Sequence, residues 1–221
     1  MLRLENEYEL CGLLTTVVEN IERVAMHAVR STLLEAQAVA AGLPLWRVDI
    51  PWPCSNEIYE ERMRAALARA RGAGIEYIAF GDLYLEDIRA YRERMLEGTG
   101  ITPLFPLWRQ PTDDLAKRMT AAGLRARITC VDSRQLDPTF AGRLFDATFL
   151  SELPAGVDPC GERGEFHTFA LSGPMFEKAI DVVVGDIVDN DGYVYADLVV
   201  SPQDQTEVRT RATRRQRMFG E

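Results

Sequence analysis

Gly72-Ala73-Gly74-Ile75-Glu76-Tyr77-Ile78-Ala79-Phe80-Gly81-Asp82-Leu83 carries the chain from the end of a helix into a strand and out through a turn. Gly72 and Gly74 stop the helix, because glycine takes up the left-handed backbone of a helix terminus without steric cost. Ile75 to Phe80 is an apolar run suited to a buried strand. Behind it, Ile58, Tyr59, Met63, Ala66, Leu67 and Ala70 recur at helical spacing. Ser55 or Asn56 can cap that helix by accepting a hydrogen bond from an orphan amide. The order helix, glycine, apolar strand repeats on both sides. Met26, Val29, Leu33, Leu34, Gln37 and Ala40 predict a helix over 26–41, stopped by Gly42 and followed by a strand over 43–50 that Pro51 and Pro53 close. Thr112 to Ala122 predicts another helix, stopped by Gly123 and followed by a strand over 124–131. Three such units with short connections predict an α/β fold with a parallel sheet, its strands apolar throughout because helices cover both faces.

A strand over Glu9 to Thr16 opens the series, and a helix over Leu85 to Leu96 precedes Gly98 and Gly100. Beyond residue 135 the rhythm changes. Phe140 to Leu153 reads as a helix, and Phe166 to Leu171, Ile180 to Val188 and Tyr193 to Val200 read as strands, with Asn190-Asp191-Gly192 as a turn. The chain is thus expected to divide into an α/β portion at 1–135, a smaller α+β portion at 136–202 and a polar segment at 203–221. That segment carries Arg209, Arg211, Arg214, Arg215 and Arg217. It reads either as a disordered tail or as an electrostatic contact for an anionic partner.

Composition narrows the function classes. The chain has 221 residues, is 47% hydrophobic and carries a net charge of −9, enough for a sizeable core and the wrong sign for a general nucleic-acid binder. No apolar run reaches membrane-spanning length and Met1 to Glu7 lacks the apolar core of a signal peptide, so the cytoplasm is the expected location. Cys11, Cys54, Cys130 and Cys160 are dispersed without a C-x-x-C pair, which argues against a zinc knot or a disulfide framework.

Ligands of open α/β sheets bind at the carboxyl ends of the strands. That rule selects Leu14-Thr15-Thr16, Phe80-Gly81-Asp82-Leu83 and Cys130-Val131-Asp132-Ser133-Arg134-Gln135. Gly81 lets a ligand approach the backbone, and Asp82 can accept hydrogen bonds or hold a metal-bound water. Asp132, Arg134 and Gln135 offer a carboxylate, a fixed cation and an amide to a polar substrate. His27 lies at the start of the first helix, where it can cap or contact a ligand. The densest chemistry is Cys160-Gly161-Glu162-Arg163-Gly164-Glu165-Phe166-His167-Thr168, a loop running into a strand. Glu162, Glu165 and His167 can place a proton donor and acceptor around one substrate, or else form a solvated turn.

Several collinear segments carry a resemblance: Gly-Leu-Leu-Thr-Thr at 12–16, Met26-His27, Pro-Trp-Pro-Cys-Ser-Asn at 51–56 and Phe-Gly-Asp-Leu at 80–83. Glu-Asp-Ile-Arg-Ala-Tyr-Arg-Glu at 86–93, Pro-Leu-Phe-Pro-Leu-Trp at 103–108, Cys-Val-Asp at 130–132 and Gly-Glu-Phe-His-Thr-Phe at 164–169 continue it. Together they resemble the diphthine–ammonia ligase family, an ATP-binding branch of the adenine nucleotide α-hydrolase-like (PP-loop) superfamily. The resemblance implies a Rossmann-like sheet that binds ATP with Mg²⁺, and an amide-forming reaction in which a carboxylate is adenylated and ammonia displaces AMP.

By that resemblance Thr15, His27, Gly81 and Asp82 line the nucleotide site. Asp87, Asp132 and Gln135 lie toward the substrate, and Glu162, Glu165 and His167 serve catalysis. The family's Ser-Gly-Gly-Lys-Asp-type phosphate loop has no counterpart here, and Met1 to Leu4 resemble the end of the helix that follows it. A preceding β–loop–α unit of roughly 30 residues is therefore expected. The alternative is a non-catalytic nucleotide-binding or scaffold protein. Metal-dependent hydrolysis is disfavoured, since no His/Cys/Asp cluster has ligand spacing. A homo-oligomer is compatible with either reading.

Overall fold

Glycine punctuation sets the element boundaries. The computed structural model describes residues 7–21, 23–24 and 29–201. Helix α1 (Ser31–Ala41) ends where Gly42 takes φ +67° and its N–H reaches the carbonyls of Ala38 and Val39. Helix α2 (Asn56–Gly72) starts at Ser55, whose hydroxyl accepts the Ile58 N–H at 3.4 Å, and is followed by Gly74 at φ +84°. Strand β1 (Leu13–Val18), ahead of α1, pairs in parallel with β3 (Leu45–Ile50), between the two helices, from Leu13–Leu45 to Val18–Ile50. The short β2 (Arg23–Val24) adds an antiparallel edge at Val17 and Val18. Strand β4 (Tyr77–Ala79) pairs in parallel with β5 (Thr102–Leu104), and helix α3 (Glu86–Leu96) connects them.

Helix α4 (Thr112–Ala121) leads into β6 (Arg125–Asp132), and here the expectation of a continuing parallel series fails. Among the described residues β6 pairs only antiparallel, with β7 (Leu144–Phe145), β8 (Phe166–Ser172) and β10 (Tyr193–Val200). Strand β9 (Val182–Asn190) pairs with β10 and forms the outer edge. The fold is mixed α/β, with two parallel pairings and one five-stranded antiparallel sheet. An apolar run reads the same in either direction, because a strand buried on both faces carries no signature of its partner's polarity.

The helix expected over 140–153 is also corrected. A 3₁₀ turn (Pro138–Phe140) is followed by Gly142 at φ +78°, then by β7, and only Ala147–Glu152 forms a helix, α5. Gly142 and Arg143 exchange hydrogen bonds with Ile128 on β6, so sheet pairing takes the segment from the helix. The first strand lies at 13–18 rather than 9–16, which buries Val17 and Val18.

Three apolar clusters position the site. Phe140, Phe145, Phe149 and Phe166 pack against Ile128 of β6 and Val194 of β10 with ring centroids 5.2–6.4 Å apart, Phe149 edge-on to Phe140 and Phe166. Truncating the fully buried Phe149 to alanine is expected to cost about 3–5 kcal/mol. Leu33, Ala36 and Ala40 of α1 cover Leu198 and Val200 of β10. Leu67 and Ala70 of α2 join Leu96 and Ile101, with Trp46 of β3 and Ile78 of β4 packed against them. Among the described residues no helix is long and apolar enough to cross a membrane.

Candidate functional site

The loop at 158–165 folds on its own short-range chemistry. Asp158-Pro159 starts a turn in which Asp158 Oδ1 accepts the Cys160 N–H at 2.7 Å. Gly161 takes φ +69°, and a Cβ there would stand 2.6 Å from the Phe166 carbonyl oxygen. Only glycine fits. Glu165, 2% exposed, holds the loop from inside: Oε1 accepts the Asp158 N–H at 2.9 Å and Oε2 the Arg163 N–H at 3.0 Å. The Arg163 guanidinium lies 3.2 Å from Oε1 and supplies the countercharge. A buried carboxylate persists when it is hydrogen-bonded and paired, as this one is.

This loop ties three other segments together. Glu162 Oε1 accepts the N–H of Leu83 at 2.7 Å and of Tyr84 at 3.4 Å, in the turn after β4. Asp158 Oδ2 accepts the Tyr84 hydroxyl and the Thr112 hydroxyl, each at 3.0 Å. The Glu165 carbonyl accepts the Asp132 N–H at 3.0 Å, at the end of β6. The turn after β4, the start of α4 and the end of β6 therefore meet at one loop.

Acidic groups crowd the junction. Burial pushes the Glu162 carboxyl above its ordinary range; the two backbone N–H groups oppose the shift, and nearby Asp82 and Asp158 add to it. Burial and the bond to Asp158 raise the Tyr84 phenol to about 12. Burial first, then Asp158, Glu162 and Asp113, raise the Cys160 thiol to about 12. Asp82 lies 3.7 Å from the Arg92 guanidinium, and its buried Oδ2 has no hydrogen-bond partner among the described residues. Below it, Arg92 stacks over Phe80, and Arg89 over Phe105 and Trp108, at 4.7–5.0 Å. Gly81 is open: a Cβ there would meet nothing within 4 Å.

Of the residues expected from sequence, Gly81, Asp82, Glu162 and Glu165 come together here, and Asp132 adjoins them through its backbone. The Asp132 side chain is engaged elsewhere. It takes a two-pronged contact from Arg134 at 2.7 and 3.0 Å and a bond from Gln135 at 2.9 Å, and Arg134 first, with Gln135 helping, holds its carboxyl down to about 2. Asp132 and Gln135 thus bind each other. His167 sits half-buried on β8 opposite Cys130, its carbonyl accepting the Thr129 hydroxyl at 3.3 Å. Thr15 is half-buried on β1 opposite Arg47, and Asp87 is exposed in the first turn of α3, where it complements the helix dipole. His27 and the arginines at 209–217 lie outside the described residues.

Asp158, Tyr84 and Thr112 belong to the junction without a sequence motif to announce them. The Asp-Pro turn signal marks Asp158 locally, but nothing local marks its partners 46 and 74 positions away. Among the described residues no group of three or more His, Cys, Asp or Glu side chains is placed to hold a metal ion.

The family model described as the diphthamide synthase C-terminal domain matches residues 111–197, which include the 158–165 loop, Thr112 and Asp132. The chain is similar to the diphthine–ammonia ligase of Homo sapiens, 32% identical over 190 residues covering 79% of this chain and 69% of the relative. It is also similar to the diphthine–ammonia ligase of Danio rerio, 27% identical over 194 residues covering 78% and 76%. The human match extends beyond the C-terminal domain and spans more than two thirds of that protein, and on this footing the chain belongs to the diphthine–ammonia ligase family.

Proposed function

We propose that this protein works as an ATP-dependent, amide-forming ligase whose reaction takes place between the turn after β4 and the 158–165 loop. One observation carries the reading: Glu162 is bonded to the Leu83 and Tyr84 amides, which sets its carboxylate beside Gly81 and Asp82 at a single junction. Strand carboxyl ends are where α/β sheets take nucleotides. In this reading the two parallel pairings belong to one Rossmann-like nucleotide-binding sheet.

The reaction proceeds in two displacements. A substrate carboxylate oxygen bonds to the α-phosphorus of ATP as the bond to pyrophosphate breaks. Ammonia then attacks the acyl carbon, AMP leaves, and the nitrogen gives up a proton. Glu162 suits that last task, because its raised proton affinity brings it closer to the working pH of a base. Glu165 acts one step back by holding the loop. Thr15 and His27 remain proposed for the nucleotide side, Asp87, Asp132 and Gln135 for the substrate side, and His167 for catalysis. Mg²⁺ fits as a companion of ATP: it needs only one or two protein carboxylates, and Asp82 offers a buried oxygen with no other hydrogen bond. When bound there it supplies charge neutralisation to the phosphates.

The test is product identity. The gene product, including any in-frame residues upstream of Met1, is incubated with ATP, Mg²⁺, ammonium and a diphthine-bearing protein. AMP, pyrophosphate and a new amide are expected. ADP with phosphate, or nucleotide binding without any turnover, overturns the proposal; the second outcome favours the scaffold reading.

A further inference from the structure

Strand β9 is the outer edge of the antiparallel sheet, nine residues long, and from Gly185 onward every residue on it is exposed. A free edge presents unpaired N–H and C=O groups, a template for one more strand. This edge is also apolar: Val183, Ile187 and Val188 are each more than half exposed. It is acidic as well. Asp181, Asp186, Asp189 and Asp191 fall within eleven residues that contain no Lys or Arg, and among the described residues Asp186, Asp189 and Asp191 face no cation within 4.0 Å. Acidic groups on an edge ordinarily keep strands off it, so an added strand must be basic.

The chain carries such a segment. Val208-Arg209-Thr210-Arg211-Ala212-Thr213-Arg214 sets β-prone or small residues against arginines at near period two, and 208–217 holds five arginines and no acid. Its tether starts in the right place. The Ser201 N–H donates to the Asp181 carbonyl at 2.8 Å, so the chain leaves β10 beside the residue that precedes β9. Residues 202–207 can span roughly 20 Å when extended, enough to round the end of one strand and reach its far edge. Such a short tether keeps the effective concentration of the segment high.

We propose that Val208–Arg214 docks on the free edge of β9 as an additional strand running parallel to it, its arginines set along the edge that carries Asp186, Asp189 and Asp191. The anionic partner of the arginine-rich segment is then this protein's own sheet. The proposal does not depend on the ligase reading.

Hydrogen exchange on the full chain, with mass-spectrometric readout over 182–190, tests it. The β9 amides that point away from β10 are expected to exchange about tenfold more slowly in the wild type than in R209E/R211E/R214E. The D186R/D189R variant is expected to lose the same protection. Combining D186R/D189R with R209D/R211D restores it, which a merely destabilised sheet does not do. The wild-type protection weakens in 0.5 M salt, where exposed charges are screened. Equal exchange in wild type and R209E/R211E/R214E overturns the proposal. So does protection that disappears on dilution, because the occupant is then a second copy.

Discussion

The Glu162 carboxylate accepts the Leu83 amide at 2.7 Å and so fastens the C-terminal loop to the turn after β4. The bond and the charge can be separated by substitution. E162Q keeps an acceptor oxygen and should change stability by less than about 0.5 kcal/mol, whereas E162A leaves two amides unmet and should cost about 1–3 kcal/mol. Because the folded state favours the neutral acid, the ionised form is the costly one. The wild type should therefore lose stability relative to E162Q as pH rises above the reference value of 4.5. If Glu162 takes the proton from the attacking nitrogen, E162Q loses about a hundredfold in kcat despite its intact fold. Chemical denaturation paired with AMP release reads both effects, and full activity in E162Q removes Glu162 from catalysis.

Asp158 joins Tyr84 and Thr112, so its removal should be felt on both sides of the junction. D158A should cost about 2–4 kcal/mol, since a buried carboxylate with three donors is lost. Y84F should cost about 1 kcal/mol. In the double variant the costs should fall short of additive, because the Tyr84–Asp158 bond is counted in each single change. Strict additivity in thermal melts contradicts this account of the hub.

Arg134 holds the Asp132 carboxyl at about 2 in the folded chain, against 3.8 as reference. The folded pKa is the lower one, so the stabilisation is fully present above pH 3.8 and is lost as pH falls through about 2. D132N should flatten that part of the acid limb of a stability–pH curve and lower the plateau near neutrality. An unchanged acid limb in D132N shows that other carboxylates govern it.

The Cys160 thiol, raised to about 12, stays protonated at pH 8, and its sulfur donates to the Thr112 carbonyl at 3.5 Å. Buried Cys130, raised to about 11, behaves alike. Iodoacetamide should label exposed Cys11 first and Cys160 and Cys130 last, as followed by peptide mass spectrometry. Labelling of Cys160 as fast as Cys11 shows that the loop is open in solution.

Much of the fold could be read from residues that act locally. Gly42 and Gly74 end helices because their backbone demands it, and the turn at Phe80 to Leu83 lies at the strand end where ligands are expected. The run at 124–131 was legible as a strand but not as an antiparallel one, since its apolar residues serve any partner. Gly142 was a visible interruption of the helix expected over 140–153; its bonds to Ile128 lie across the sheet and leave no local trace. Glu162 and Glu165 look alike in sequence and differ in use. One reaches across the junction and the other turns inward, a distinction that depends on Leu83 and on the close approach of Gly161 to Phe166.

The bonds that build the junction connect residues 46, 74 and 79 positions apart. Contacts that close long loops form late, after local helices and hairpins have already reduced the entropy of the intervening chain. A nascent chain released before residue 158 holds the Gly81–Asp82 turn but none of the carboxylates that fasten it. The site is thus a folding checkpoint: competence arrives with the last third of the chain, and an incompletely folded molecule has no assembled junction.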